Sequence, residues 1–410
     1  MQLQEHDKIE GVDIQDKRFD HLNLVSWDRP TEGCQWGYYA SYKIGAEWID
    51  DKETLIVTTK RGMEHIDFLS MFMICFTSNL AVESFSQIYS ISAEQQSIKA
   101  PSLKGVVSPL IIMHFLGVVS RIKALRKGYV RREENLKKVK GHINILKNER
   151  ANIALQRYDR IYCNYDEYTI DIPENRLLKK ALLFSKRLLS MMDKNHFSYN
   201  RVWQKLSQTL AKFENVSCEV DIKAIRQIKG HKLFKDYAEA IRLAKLVLRH
   251  FDYSINNVSN TENKVTPFVL DMSLLYEHYV YGLLYEAYDD KITYQYEGKT
   301  GIPDFLYCTN GFKAILDTKY IPKYDEKSLD INVIRQLSGY GRDLRILKKI
   351  GYDATEDELT PSVPCVIIYP TETGVCDNPF LGKELSTLCT IRERGLSQFY
   401  KISIPIPTLK

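Results

Sequence analysis

Residues 301–324 read GIPDFLYCTNGFKAILDTKYIPKY. Asn310-Gly311 between two apolar runs is a strong hairpin signal, because a type I′ turn needs positive φ at both central positions and Asn and Gly tolerate it best. Such a turn pairs Thr309 with Phe312, so that paired residue numbers sum to 621 and Asp304 falls directly opposite Asp317. A four-residue loop centred on the same turn keeps that pairing, whereas a three-residue loop shifts it by one. Facing side chains in an antiparallel pair have Cβ atoms about 4.5–5.5 Å apart, and like charges there are destabilising. A positive group is therefore expected between the two carboxylates. Lys319 follows Asp317 by two, and the period of a strand sends it to the same face.

The helix that precedes the hairpin, SLLYEHYVYGLLYEAY (273–288), holds two glutamates nine positions apart. At about 100° per residue they lie on opposite faces. Glu286 has Asp289 and Asp290 just beyond it and belongs to the wet side. Glu277 is flanked by Leu274, Val280, Tyr281 and Leu284 at helical spacing. A carboxylate on an apolar stripe is costly to desolvate unless a cation or a donor meets it, which makes Glu277 a candidate third acid beside Asp304 and Asp317. Acidic oxygens to hold Mg²⁺, with Mn²⁺ able to substitute, and a lysine to position or activate water are what metal-assisted phosphodiester cleavage requires. The acid-x-Lys triplet alone is weak, since it recurs at Asp50, Asp221, Glu262, Asp289, Glu297 and Asp325. Only Asp317 ends an apolar run opposite a Pro-Asp and downstream of an inward-facing acid; the bland alternative is a surface salt-bridge hairpin. Downstream, LDINVIRQLSGYGRDLRIL predicts a helix with Gln336 and Tyr340 one turn apart, able to reach a phosphate or water, or to pack.

Upstream, WGYYASYKIGAEWIDDKETLIVTTK (36–60) and its neighbours alternate aromatic and β-branched residues with Gly and Asp-Asp breaks, the pattern of strands. From Pro109 the pattern turns helical. Arg121 to Arg150 is heavily basic, RIKALRKGYVRREENLKKVKGHINILKNER, which reads as a solvated helix face or as a phosphate-contacting surface carried by Arg126, Lys127, Arg131, Arg132, Lys137, Lys138 and Lys140. Two amphipathic helices follow, from PENRLLKKALLFSKRLLSMM (173–192) and DYAEAIRLAKLVLRHF (236–251). A polar Asn/Ser-rich stretch then marks a boundary near residue 262. The layout expected is an α+β multidomain chain: a β-rich part at 1–105, a helical basic middle at 106–262 and an α/β core at 263–410.

With 44% hydrophobic and 27% charged residues, the 410-residue chain has the balance of a folded globular protein. Its longest apolar stretch, Val106 to Val119, is interrupted by Pro109 and His114, and it falls short of the roughly 20 residues that a membrane span needs. The first twenty residues lack the apolar core of a secretory signal. Eight scattered cysteines without a CxxC pair read as reduced thiols in a cytoplasm. A net charge of +5 is too mild to establish a nucleic-acid partner by its sum.

Pro303-Asp304 followed by Asp317-Thr318-Lys319 resembles the PD-(D/E)xK nuclease motif, with Glu277 in the place of that fold's first-helix acid. PENRLLKKAL (173–182), YAEAIRLAKLVL, LLYEHYVYGLL, DTKY and the late strand VIIYP (366–370) are similar to the McrC subunit of modification-dependent (5-methylcytosine) restriction systems. That likeness covers roughly residues 100 to 370. It implies a cytoplasmic Mg²⁺-dependent endonuclease subunit that works with an McrB-like AAA+ GTPase ring, the ring reading modified cytosine in double-stranded DNA. It implies no membrane, and an N-terminal part that docks on the NTPase. The sequence contains no GxxxxGK[ST] loop, which fits a partner that does not hydrolyse nucleotide itself. Two other readings stand beside it: a non-cleaving DNA-binding adaptor that activates a partner NTPase, and a nuclease for RNA or for DNA ends.

Overall fold

The computed structural model describes residues 1–12, 16–29, 35–76, 85–92, 94–190, 199–221, 235–255, 264–321, 330–353, 355, 362–371 and 378–408. The chain forms two compact units, one of Met1–Met113 with Asn257–Lys410 and the other of His114–Asn256. The boundary expected near residue 262 lies outside the described residues.

In the first unit, the aromatic and β-branched N-terminal segments form a five-stranded sheet. Its spatial order is Gln2–Gln4, Thr54–Thr58, Lys43–Trp48, Phe268–Asp271 and Tyr89–Ile91. Both of its faces are covered: Ile44 and Ala46 on one and Leu55 and Val57 on the other are fully buried. The strand Phe268–Asp271 arrives from more than 170 residues downstream and sits inside the sheet, with Phe268 opposite Ala46 on one side and Ile91 on the other. It passes so close to Gly45 (φ +151°) that a Cβ there would stand 2.0 Å from the Phe268 carbonyl oxygen, so only glycine fits. Residues 1–105 therefore do not complete their own sheet.

The largest sheet of this unit among the described residues has six strands. They are Ile292–Tyr294, Phe305–Cys308, Lys313–Thr318, Cys365–Thr371, Phe399–Pro405 and Ile391–Arg392, in that spatial order. Phe305 pairs with Leu316 and Cys308 with Lys313, which is the register anticipated from the sequence. The turn itself differs from expectation, because neither Asn310 nor Gly311 has positive φ. Thr309 closes it instead: its N–H donates to the Phe312 carbonyl (3.0 Å), and its hydroxyl both donates to that carbonyl (2.8 Å) and accepts from the Phe312 N–H (3.0 Å). A side chain thus does the work assigned to a left-handed backbone. Lys313–Thr318 runs parallel to Cys365–Thr371 on its other side, and the helices Ile331–Tyr340 and Leu344–Lys349 lie on the chain between them.

The helix Met272–Tyr288 starts where the Asp271 carboxylate accepts from the Ser273 and Leu274 N–H groups. Twelve of its 17 residues are buried, so it is a core helix rather than an amphipathic surface one. Gly282 lets the helix Phe68–Cys75 cross it closely, since a Cβ there would meet the Ile74 carbonyl oxygen at 2.2 Å.

The second unit contains the two expected amphipathic helices, observed as Pro173–Ser190 and Lys235–Ile255, together with Tyr199–Ala211. Leu177, Ala181, Tyr237, Ile241 and Ala244 are buried as their spacing predicts. The basic segment is where the helical expectation fails. Gly128–Leu136 is a β-strand, paired over nine residues with Ile161–Thr169, which in turn carries His142–Ile143 on its other edge. The pairing accounts for the difference: Tyr129 faces Tyr168 with ring centroids 5.0 Å apart, and Arg131 faces Asp166, so aromatic and opposite-charge cross-strand pairs stabilise the ladder. No helix among the described residues is long and apolar enough to cross a membrane.

Candidate metal centre

Pairing in the hairpin ends at Phe305 and Leu316, and one step further out stand Asp304 and Asp317. Asp317 is 1% exposed. The Lys319 ammonium lies 2.5 Å from Asp317 Oδ2, so the expected cation is paired with this one of the two acids. That oxygen is buried and makes no aligned hydrogen bond among the described residues, so charge alone meets it. Asp304 is held differently: its Oδ2 accepts from the Thr318 N–H (2.6 Å) and from the Thr318 hydroxyl (2.5 Å). The residue between Asp317 and Lys319 thus ties the far strand's acid to the near strand.

The electrostatics join these groups. Burial lifts the Asp304 carboxyl well above the ordinary carboxylate range, and the charges of Asp317 and Glu277 lift it further. Burial also raises Asp317, opposed by Lys319. Glu277, 8% exposed, is raised by burial, with hydrogen bonds from Gln295 and Tyr294 opposing the shift and Asp317 adding to it. The charges of the inward acid on the helix and of the hairpin pair therefore reach one another. Among the described residues, however, no three His, Cys, Asp or Glu side chains stand close enough to hold one ion between them. What is present suits Mg²⁺ in another way. The ion is usually bound by one or two carboxylates, with water and phosphate oxygens completing its shell, and Asp317 Oδ2 is a buried anionic oxygen still lacking an aligned donor.

Gln295 was not singled out from the sequence. Its side-chain amide donates to Glu277 Oε1 (2.8 Å) while its backbone N–H donates to the Asp304 carbonyl (2.9 Å), so one residue braces two of the three acids. It does so from positive φ (+44°), a conformation that is costly for a side chain of this kind. Neither the strain nor the reach is visible in the letters YQY. Tyr294 packs against both Tyr281 and Phe305, with centroids at 4.5 and 5.8 Å and those two rings 5.9 Å from each other, and so fixes the strand that delivers Gln295.

Gln336 and Tyr340 sit one turn apart on Ile331–Tyr340, as their spacing predicts. Gln336 Nε2 donates to the Tyr340 hydroxyl (2.8 Å), which donates to the Ile302 carbonyl (3.2 Å), two residues before Asp304. Burial raises the Tyr340 hydroxyl pKa, and the charges of Asp317 and Asp304 add to the shift, so this hydroxyl borders the acids. Gln336 itself is exposed.

The basic strand belongs to the other unit. Arg132 is engaged by Glu167 (3.2 Å) and Asp171 (3.3 Å), Lys140 by Glu167 (3.6 Å) and the Tyr165 ring (3.8 Å), and Arg126 by Glu174 (3.9 Å). Lys127, Arg131, Lys137 and Lys138 are exposed. Three of the seven basic side chains singled out from the sequence are thus met by acids, of which Glu167 lies on the paired strand.

Among solved structures, similar ones include the half-complex from the tetradecameric assembly of Thermococcus gammatolerans McrB AAA+ hexamers with bound McrC. It has 15% identity and a TM-score of 0.36, covering 100% of this chain and 95% of that chain. The Thermococcus gammatolerans McrBC complex is similar at 15% identity and a TM-score of 0.32, covering 69% of this chain and 86% of that chain. No curated protein matches. The family described as McrBC 5-methylcytosine restriction system component matches residues 84–340, well over half of the sequence, and the chain belongs to that family.

Proposed function

We propose that this chain is the McrC-type subunit of its restriction system, a Mg²⁺-dependent DNA endonuclease built on a PD-(D/E)xK core and directed by an McrB-like AAA+ GTPase ring. The observation that carries the reading is the juxtaposition of Asp304 and Asp317 across one hairpin, with the Lys319 ammonium on Asp317. A buried carboxylate beside a half-buried one, both lifted in pKa, forms an expensive arrangement for a structural hairpin, and a site for a divalent cation gives them a use.

Asp304 and Asp317 would hold Mg²⁺, with Glu277 acting on it directly or through water, and the bound ion would supply charge stabilisation at the phosphodiester. Lys319 holds its ammonium beside Asp317 and is placed to orient an attacking water. Thr318 fixes Asp304, and Gln295 fixes Glu277. Gln336, exposed on its helix, is placed to meet a phosphate oxygen or a water. The exposed basic residues on and flanking the strand Gly128–Leu136, Lys127, Arg131, Lys137 and Lys138, provide sequence-independent phosphate contacts. Choice of target comes from the partner ring, as the family's description as a component of a 5-methylcytosine restriction system suggests.

The test is cleavage of methylated double-stranded DNA by the full chain with its co-purified partner, GTP and Mg²⁺, compared with the Asp317→Asn variant. Cutting by the wild type that is lost in the variant supports the reading. Equal cutting by both places the chemistry elsewhere, and an absence of cutting alongside stimulated GTP hydrolysis favours the adaptor.

A further inference from the structure

The buried groups that the proposed chemistry leaves unused lie just beyond the motif strand. After Lys319 the chain turns sharply, with the Ile321 N–H donating to the Lys319 carbonyl (2.8 Å) across Tyr320. A three-residue turn of this kind leaves the Tyr320 carbonyl pointing away from the sheet ladder. Its donor is Lys60, two residues past the end of the strand Thr54–Thr58. The Lys60 ammonium lies 2.5 Å from that carbonyl oxygen and 3.4 Å from the centre of the Tyr320 ring. Lys60 and Tyr320 are 9% and 2% exposed.

Lys60 is held in turn by Glu5, whose Oε2 accepts from the Lys60 N–H (2.9 Å) and lies 3.5 Å from the Tyr320 hydroxyl. Glu5 is 4% exposed, and its Oε1 has no hydrogen-bond partner among the described residues. Burial pushes the Glu5 carboxyl up and the Lys60 ammonium down, each partly offset by the other's charge. Tyr42, on the same side, feels both Glu5 and Lys319, so the sheet surface that carries Lys60 reaches to the motif lysine.

Burying two ions costs several kcal/mol each, and well-packed apolar residues would often serve stability equally well or better. A structural role alone is a poor account of this pair. We propose that Lys60 is a positioning residue for the nuclease reaction: by capping the Tyr320 carbonyl it fixes the turn that ends the motif strand, and with it the direction of the Lys319 ammonium. The N-terminal sheet is then part of the catalytic apparatus as well as a docking platform. This inference rests on the nuclease reading above.

The experiment uses the full chain with its partner and compares Lys60→Met/Glu5→Gln, which removes the donor without stranding a buried charge, with Lys60→Arg, which restores a donor. Four quantities are read: thermal unfolding, the rise in Tm on adding Mn²⁺, single-turnover cleavage with its dependence on DNA concentration, and hydrogen exchange at the amides of 319–321. For the double variant we expect unfolding at or above the wild-type temperature and an unchanged Mn²⁺ response. Its exchange at 319–321 should be faster, and its cleavage rate lower by about ten- to a hundredfold at constant half-saturating DNA, the scale of a small misplacement of a reacting group. Lys60→Arg should recover most of that rate. Wild-type cleavage by the double variant overturns the proposal, as does a joint loss of the Mn²⁺ response and activity, which would mark Lys60 as structural. If the double variant fails to fold, Lys60→Arg decides: a folded, Mn²⁺-responsive protein that does not cleave refutes the role. If even the wild type never cleaves, the nuclease reading has failed, and the exchange measurement alone then judges whether Lys60 holds the turn.

Discussion

Asp317→Asn is the perturbation that separates a metal centre from a salt-bridged hairpin, because it removes one charge and keeps the shape. Burial raises the pKa of both Asp317 and Asp304, and Asp304 is raised further by its neighbour's charge. A carboxyl whose pKa is higher in the folded state than in the unfolded state costs stability once both states are ionised, and the cost disappears below about pH 4, where the group is protonated in both. The Asn variant should therefore be more stable than the wild type near pH 7–8 despite losing the Lys319 ion pair, by on the order of 1 kcal/mol, the usual scale of a single substitution. That corresponds to about 2–4 °C in Tm, and the difference should vanish as the pH falls toward 4. Divalent metal reverses the order. An ion present at ten times its Kd adds about 1.4 kcal/mol to the protein that binds it, so Mn²⁺ or Mg²⁺ should raise the wild-type Tm and leave that of Asp317→Asn nearly unmoved. Metal affinity of the wild type should weaken as the pH falls, because the raised carboxyls must give up their protons to bind. Cleavage should drop by about 10²- to 10⁴-fold, taking a metal-held charge as worth about 3–5 kcal/mol in the transition state. The assays are calorimetry across pH with and without metal, and cleavage with partner and GTP. An Asn variant that keeps the metal response, or cuts at the wild-type rate, refutes the assignment.

Lys319→Ala should keep most of the Mn²⁺ response and lose turnover by at least about tenfold, seen in single-turnover cleavage. Gln295→Leu should release Glu277 and slow cleavage while relieving no strain, since the positive φ stays; Gln295→Gly should gain up to about 1 kcal/mol from the backbone and still be slow, read by unfolding and cleavage in parallel. Charge reversal at Lys127, Arg131, Lys137 and Lys138 together should weaken DNA binding about equally across sequences. It should also reduce the slope of log K against log salt by about 0.9 for each phosphate that is no longer neutralised, measured by fluorescence titration. Deleting residues 1–100 should not leave a folded nuclease core, because it removes both neighbours of Phe268–Asp271 and the Lys60 cap; a truncation that unfolds cooperatively and binds Mn²⁺ would contradict this.

The site was more legible in the sequence than the frame that supports it. Asp304 and Asp317 could be set opposite each other because strand register follows from a local turn, and the register survives although Thr309 closes that turn in place of left-handed Asn310 and Gly311. Glu277 could be placed inward because its apolar neighbours recur at helical spacing, and it is buried. The basic strand misled, since charge runs have no period of their own. Its Tyr129–Val130 start speaks for a strand only when Tyr168 and Asp166, nearly forty residues on, are known to lie across from it.

Gln295, Thr318 and Lys60 escaped for a common reason: each acts through the backbone or through a conformation. Gln295 holds the Asp304 carbonyl from positive φ, Thr318 offers its own N–H to Asp304, and Lys60 caps a carbonyl 260 positions away. Side-chain chemistry at fixed spacing announces which residues react, whereas the groups that aim them are specified by tertiary contact. The same distinction explains why the N-terminal sheet looked like a separate module in the sequence. Its strands have no chemistry of their own, yet it takes an inner strand, Phe268–Asp271, from the segment that leads directly into the Glu277 helix. A partner that shifts this sheet would therefore act at both ends of the acid cluster, on Glu277 through its helix and on Lys319 through Tyr320.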